Sequence, residues 1–173
     1  KFQNECKMMI DDYLEKVKTE LEKVVKNKEF ADETRSKILA FSGEIIMSQI
    51  MEYILKSHSI KSQFVGLENW PIITDNNIES TNFLVNESSK NIEHVEKMLE
   101  KNDVISIGGF IGRTKDGIMT TYERGGSDRT AADLGILLHK KFDVKIDLEK
   151  DRSVVSADPK IVSDGLTEVS NLS

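Results

Sequence analysis

Val104-Ile105-Ser106-Ile107-Gly108-Gly109-Phe110-Ile111-Gly112-Arg113-Thr114, then Thr120-Thr121-Tyr122-Glu123-Arg124-Gly125-Gly126-Ser127-Asp128-Arg129-Thr130, decides how this 173-residue chain folds. Residues 104–107 read as a buried strand running into Gly108-Gly109. Residues 118–121 predict a second strand. A glycine turn joins it to a helix over 127–139 with Ala131, Leu134, Leu137 and Leu138 facing inward. Six of the ten glycines fall between Gly108 and Gly126. Both halves of the segment sit where a strand ends, and ligands of open α/β sheets bind beyond the carboxyl ends of strands.

Working outward, residues 4–28 predict an amphipathic helix. Ile10, Leu14, Val17, Leu21 and Val24 recur at spacings of three and four and line one face. A second helix is expected from an N-cap at Asp32. Its pattern is interrupted at Ser42-Gly43 and resumes with Ile45, Ile46, Ile50, Met51, Ile54 and Leu55; the glycine marks a break or a close approach. Residues 62–67, 71–74 and 83–85 suggest short strands, with turn chemistry at Thr74-Asp75-Asn76-Asn77. Ser88 or Ser89 is placed as the cap of a helix with Ile92, Val95 and Leu99 inward, ending at Asn102. Residues 142–148 alternate and predict a strand, and Val154-Val155 begins another. Helices alternating with strands give an α/β layered domain with a largely parallel sheet.

Composition narrows the function classes. Lys plus Arg number 24 and Asp plus Glu 30, a net charge of −6. That argues against a nucleic acid bound through its phosphates. No apolar run approaches the roughly 20 residues that span a bilayer. The single cysteine, Cys6, cannot close an internal disulfide, which fits a reducing, cytoplasmic setting. There is no GxxxxGK[ST] phosphate loop, full GxGxxG or GxSxG elbow. His58, His94 and His139 are scattered and offer no zinc pattern, so no residue is assigned as a metal ligand.

The glycine segment itself suits an anion. Glycines let the backbone approach closely, and N–H groups of a first helical turn favour negative charge by about 0.3–1 kcal/mol. Arg124 can grip a carboxylate or phosphate at two points. Ser127 can donate to the same group, and Asp128 can act on a metal or orient a cation. The same residues also suit two tight turns whose Asp and Ser cap a helix. Spacing alone leaves both open.

The full string resembles the aspartokinase pattern of the amino acid kinase superfamily, G-F-I-G-x-T-x-x-G-x-x-T-T-x-x-R-G-G-S-D-x-T-A-A. It is carried here by Gly109 to Thr114, Gly117, Thr120-Thr121, Arg124 to Asp128 and Thr130 to Ala132. Ile72 to Asn77 is similar to the I-I-T-D-N-N segment of archaeal-type aspartokinases, and Ser156 to Val162 to the family's T-x-D-P-R/K-x-V segment. Gly43-Glu44 is similar to the G-E of its aspartate-binding helix. The resemblance implies a three-layer α/β/α sandwich with a mainly parallel sheet, incomplete in this chain, with residues 1–173 forming the central part of a catalytic domain. It implies transfer of the ATP γ-phosphoryl to the β-carboxylate of L-aspartate, giving 4-phospho-L-aspartate on the route to lysine, threonine and methionine. ATP and Mg²⁺ are the implied cofactors, L-aspartate and Mg-ATP the partners, with neither nucleic acid nor membrane, in a homodimer or higher homo-oligomer. Arg124 and Asp128 would be catalytic. Glu44, Thr74, Arg124, Ser127 and Asp128 would hold the substrate. Gly109, Gly112, Gly125, Gly126, Asp158, Pro159 and Lys160 would face the phosphates and nucleotide.

Three departures from the family accompany this. Lys1-Phe2 is followed by Gln3-Asn4-Glu5 and a helix, where the family has a K-F-G-G-T-S strand. Glu149-Lys150 stands where its nucleotide motif has Thr-Asp, with Ser153 for the glycine and Val155 for the tyrosine. The C-terminal ACT regulatory domains have no counterpart. Two expectations follow. The chain is a piece of an aspartokinase, inactive on its own, or it derives from a degenerate, non-catalytic homologue that binds an amino acid.

Overall fold

The 3.6-residue periodicity at the start of the chain produces α1, Phe2–Asn27. A computed structural model of the protein describes residues 2–28 and 31–149; the expected strand at Val154-Val155 and the residues Asp158, Pro159 and Lys160 lie outside that range. The expected stripe of α1 is only partly covered. Ile10, Tyr13, Val17 and Val24 are half-buried, while Leu14 and Leu21 are exposed. Among the described residues α1 packs mainly along α2, Asp32–Leu39, α3, Ile45–Ser57, and the turn that joins them.

Asp32 does not cap α2. It is the first helical residue, behind an extended Ala31, and its carboxylate suits the first turn. The interruption at Ser42-Gly43 is a π-helical turn, Ala40–Glu44, so α2 and α3 run on through one widened turn. That turn re-aims Glu44.

The strands are short. β1, Ser62–Phe64, pairs in parallel with β2, Val104–Ser106. β3, Ile111–Arg113, pairs antiparallel with β4, Met119–Thr121, and Ile73 bridges Arg113 in parallel. The strands expected at 71–74 and 83–85 contract to single bridges, Ile73 to Arg113 and Thr74 to Phe83.

Helix formation claims residue 85 onward as α4, Val85–Asn91, followed by α5, Glu93–Leu99. Ser88 is therefore interior, not a cap. Its hydroxyl accepts from the Ile73 N–H at 2.8 Å and donates to the Ile73 carbonyl, tying α4 to the sheet. Asn102 does close α5, donating from both its backbone N–H and its side-chain amide to the Met98 carbonyl.

Residues 143–149 form no strand. Val144 and Ile146 lie against Gly135 of α6, Gly126–Leu138, so their alternating apolar groups find a helix and not a sheet edge.

Helices α2 and α3 cover one side of the strands, with α1 outside them; α5 and α6 cover the other, with α4 packed on both. This is the expected three-layer α/β/α arrangement. Its core runs through Ile45, Val65, Trp70, Ile72, Val95, Ile111, Tyr122 and Leu137. Trp70, the one tryptophan, is fully buried and donates its indole N–H to the Ile111 carbonyl at 3.1 Å, anchoring β3.

Candidate active site

The widened turn and the glycine loop converge. β2 delivers Gly108 and Gly109 to the end of the π turn, where the Gly109 N–H donates to Glu44 Oε2 at 3.2 Å. A Cβ on Gly108 would lie 3.1 Å from the Glu44 backbone oxygen. One on Gly109 would lie 2.9 Å from Cα, Cβ and Oγ of Ser127. Three segments distant in sequence, at 44, 108–109 and 127, thus meet through two closely packed glycines, of which Gly109 leaves no room for a Cβ without a shift of Ser127.

Ser127 opens α6 behind the left-handed Gly125, φ 87°, a conformation that suits glycine. Gly126 is buried; a Cβ there would lie 2.6 Å from Tyr122 Cβ and 2.8 Å from the Phe110 ring. Phe110 has a positive φ of 69°, and its N–H donates to Thr130 Oγ1 at 3.0 Å. Thr130 in turn donates to the Gly126 carbonyl at 3.0 Å. Loop and helix start are therefore locked to each other.

Arg124 projects from the turn into solvent and lines a cavity of about 320 Å³ with Arg35, Leu39, Glu79, Phe110 and Tyr122. Arg35 and Glu79 form an ion pair between α2 and the loop after residue 75. Among the described residues Arg124 makes no ion pair, so its guanidinium is available to an anion. Asp128 is half-buried in the first turn of α6 and is engaged with its surroundings.

The structure thus brings Glu44, Gly109, Gly125, Gly126 and Ser127 together, with Arg124 and Asp128 on the same turn. It does not bring in Thr74 or Gly112. Thr74 is buried and hydrogen-bonds Thr120 hydroxyl to hydroxyl at 2.7 Å. Gly112 pairs with Thr120, and a Cβ on it would lie 2.4 Å from Thr74 Cγ2, so close packing inside the sheet requires that glycine. The turn expected at Thr74 to Asn77 is built on Asp75. Burial pushes its carboxyl up, but bonds from the Asn82 side chain and backbone, the Asn77 backbone and Thr81 outweigh that and hold it at about 2.

Sequence reasoning missed Gly108, Phe110 and Thr130 as parts of the site. All three stand in the quoted string, but only the fold gives them partners. It also missed Tyr122 and Asp133. The Tyr122 hydroxyl donates to Asp133 Oδ2 at 2.6 Å, and the Arg129 guanidinium lies 4.8 Å from the centre of the Tyr122 ring. Burial, then the Asp133 bond and charge, raise the Tyr122 phenol above its ordinary range. Burial also raises Asp133, against the opposing pull of Tyr122 and Arg129.

Among the described residues no three of His, Cys, Asp and Glu stand together as metal ligands. Mg²⁺ on a nucleotide keeps waters and phosphate oxygens and needs only one or two carboxylates. Glu123 and Asp128 are the described carboxylates on and beside the Arg124–Asp128 turn.

The chain matches the amino acid kinase family over residues 7–173. It is 36% identical over 122 residues to an aspartokinase of Rickettsia felis, covering 70% of this chain and 29% of that protein. It is 30% identical over 143 residues to aspartokinase 1 of Bacillus subtilis, covering 78% and 34%. The chain therefore spans about a third of the length of these curated relatives. Escherichia coli aspartokinase III, solved in complex with lysine and aspartate, superposes with a TM-score of 0.79 at 21% identity, over 98% of this chain and 36% of that one. The same enzyme has been solved with aspartate and ADP, at a TM-score of 0.77 over 94% of this chain and 35% of that one. The α/β/α layers and the parallel pairing match that fold, and the family match extends across nearly the whole sequence. This chain belongs to the amino acid kinase family.

Proposed function

We propose that the protein carrying this chain is an aspartate kinase, and that residues 1–173 are the central part of its catalytic domain. The observation that supports this most directly is the meeting of Glu44, Gly109 and Ser127 on a turn that also bears Arg124 and Asp128. Relatives named as aspartokinases, and one solved with aspartate and ADP, agree with it.

In this reading Arg124 grips a carboxylate of L-aspartate, Ser127 donates to it, and Glu44 faces the ammonium group. Glu44 then either shares its carboxylate between the Gly109 N–H and the ligand or releases that N–H to the ligand. The β-carboxylate, with an ordinary pKa near 4, is already ionised at neutral pH, so no strong base is required. The chain's task is to place the acceptor oxygen and to neutralise charge. Arg124 and the N-terminus of α6 supply positive potential, and Asp128 orients the ammonium group or organises the transfer centre. Mg²⁺ screens the triphosphate. The family resemblance assigns Asp158, Pro159 and Lys160 to the nucleotide, and Gly109, Gly125 and Gly126 to its phosphate side. A cytoplasmic homo-oligomer making 4-phospho-L-aspartate for lysine, threonine and methionine synthesis completes the reading.

The test is the intact protein incubated with ATP, Mg²⁺, L-aspartate and hydroxylamine, which yields aspartyl hydroxamate. Asp128→Asn is expected to cut turnover at least a hundredfold with the fold intact. No hydroxamate from wild type at high concentration overturns the reading. A second reading rests on Glu149-Lys150 in place of the family's Thr-Asp: a homologue that binds aspartate without phosphorylating it. Calorimetry separates the two, because the second requires aspartate binding without Mg-ATP binding.

A further inference from the structure

The turn bearing Arg124, Ser127 and Asp128 is spanned from behind by two buried polar groups that the proposed chemistry leaves idle. Tyr122 follows β4 directly and Asp133 lies in the second turn of α6, so together they bracket the whole turn. Tyr122 is 1% exposed and Asp133 6%. Their bond, hydroxyl to Oδ2 at 2.6 Å, is the one side-chain hydrogen bond of either residue among the described residues. A buried phenol and a buried carboxyl are costly unless they satisfy each other. We propose that Tyr122 and Asp133 form a positioning clamp that fixes the Arg124–Asp128 turn for a carboxylate ligand. The identity of the ligand rests on the aspartate kinase reading; the clamp itself does not.

Three contacts make the pair a lever on the site and not only a piece of core. The Tyr122 N–H donates to the Phe110 carbonyl at 2.9 Å, so the backbone that carries the ring is tied to the glycine loop. Tyr122 and Phe110 are also the side chains that close over Gly126, the residue before Ser127. Tyr122 is also one of the residues lining the cavity that Arg124 lines, and the Arg129 guanidinium lies over its ring. A shift of the Tyr122 side chain is therefore expected to disturb its packing on Gly126 and Phe110. Misplacement of a binding group by about 1 Å costs on the order of a hundredfold in a reaction that depends on alignment.

The experiment uses the intact protein with Tyr122→Phe, Asp133→Ala, the double variant and Asp133→Asn, which keeps an acceptor for the phenol. Two readouts are taken: amide hydrogen exchange over residues 123–128 against α3, and dissociation constants for L-aspartate and Mg-ATP. Tyr122→Phe and Asp133→Ala are expected to speed exchange in the turn about tenfold and weaken aspartate about tenfold. Mg-ATP is expected to stay within twofold and α3 to stay protected. The double variant matches the worse single one, and Asp133→Asn restores both readouts. Unchanged exchange in the single variants overturns the clamp. So does a uniform loss of protection with aspartate and ATP weakened alike, which marks a residue of general stability. Faster exchange in variants of a protein that never binds aspartate supports the clamp and overturns the substrate assigned above.

Discussion

Gly126 and Gly43 are both helical glycines near the site, yet the atoms around them dictate opposite responses to a methyl group. At Gly126 a Cβ would meet Tyr122 Cβ at 2.6 Å and Phe110 Cδ2 at 2.8 Å, so Tyr122 and the packed Phe110 ring must move. Gly126→Ala is expected to cost about 1–3 kcal/mol, as overpacking does. At Gly43 nothing lies within 4 Å and φ is not positive. Gly43→Ala should be stabilising by about 0.4–1 kcal/mol, because it restricts the unfolded chain. Urea unfolding of both variants checks the pair, and equal midpoints would refute the packing argument. Asp75 responds to pH instead. Its folded carboxyl is held at about 2 against an ordinary 3.8, so its contribution is fully present above pH 4 and is lost as pH falls toward 2. Asp75→Asn should therefore lower the melting temperature at pH 6 and flatten its decline between pH 4 and 2. A parallel decline in both proteins would remove Asp75 as a cause.

At the scale of elements, Ser88 is the bolt between α4 and the sheet. The Ile73 N–H has that hydroxyl as its partner, and the site is fully buried. Ser88→Ala leaves a buried donor unpaired and is expected to cost about 1–3 kcal/mol. Ser88→Thr, which keeps the hydroxyl, would separate the bond from the added methyl; both variants are read by thermal melting. Ser88 also shows why some of the fold was illegible. A serine before an apolar helical pattern reads as a cap, and only the tertiary position of Ile73 makes it a rivet. The helices themselves were legible because periodicity is local: residues 4–28 and 127–139 carried their apolar stripes openly. The strand predicted at 142–148 had the right alternation, but alternation does not say what it will meet, and here it met Gly135 of α6. The site divides the same way. Arg124, Ser127 and Asp128 sit on one contiguous string, so spacing exposed them. Glu44 came from family likeness, and its bond to Gly109 spans 65 residues. Tyr122 and Asp133 lie eleven residues apart across a turn and the first turns of a helix, a separation that no repeat or motif marks.

For the whole molecule, one uncovered feature among the described residues is the apolar surface of α1 and α3. Leu14, Met47, Met51 and Ile54 are exposed there, and a groove of about 410 Å³ runs between the two helices past Cys6, Ile10 and Tyr53. Apolar surface of this kind drives association in water. The 173-residue chain is therefore expected to self-associate with rising concentration. The double variant Met51→Lys and Ile54→Lys should reduce that association. Both side chains are close to half exposed, at 44% and 47%, so the melting temperature should change little. Charge makes the comparison stringent. Two lysines move the formal net charge from −6 to −6 + 2 = −4, toward zero, which by itself favours association. A fall in light scattering despite that shift has to come from the lost apolar surface. Scattering that stays the same or rises, with the fold intact, would place the sticky surface elsewhere, at the short strand edges or around α6.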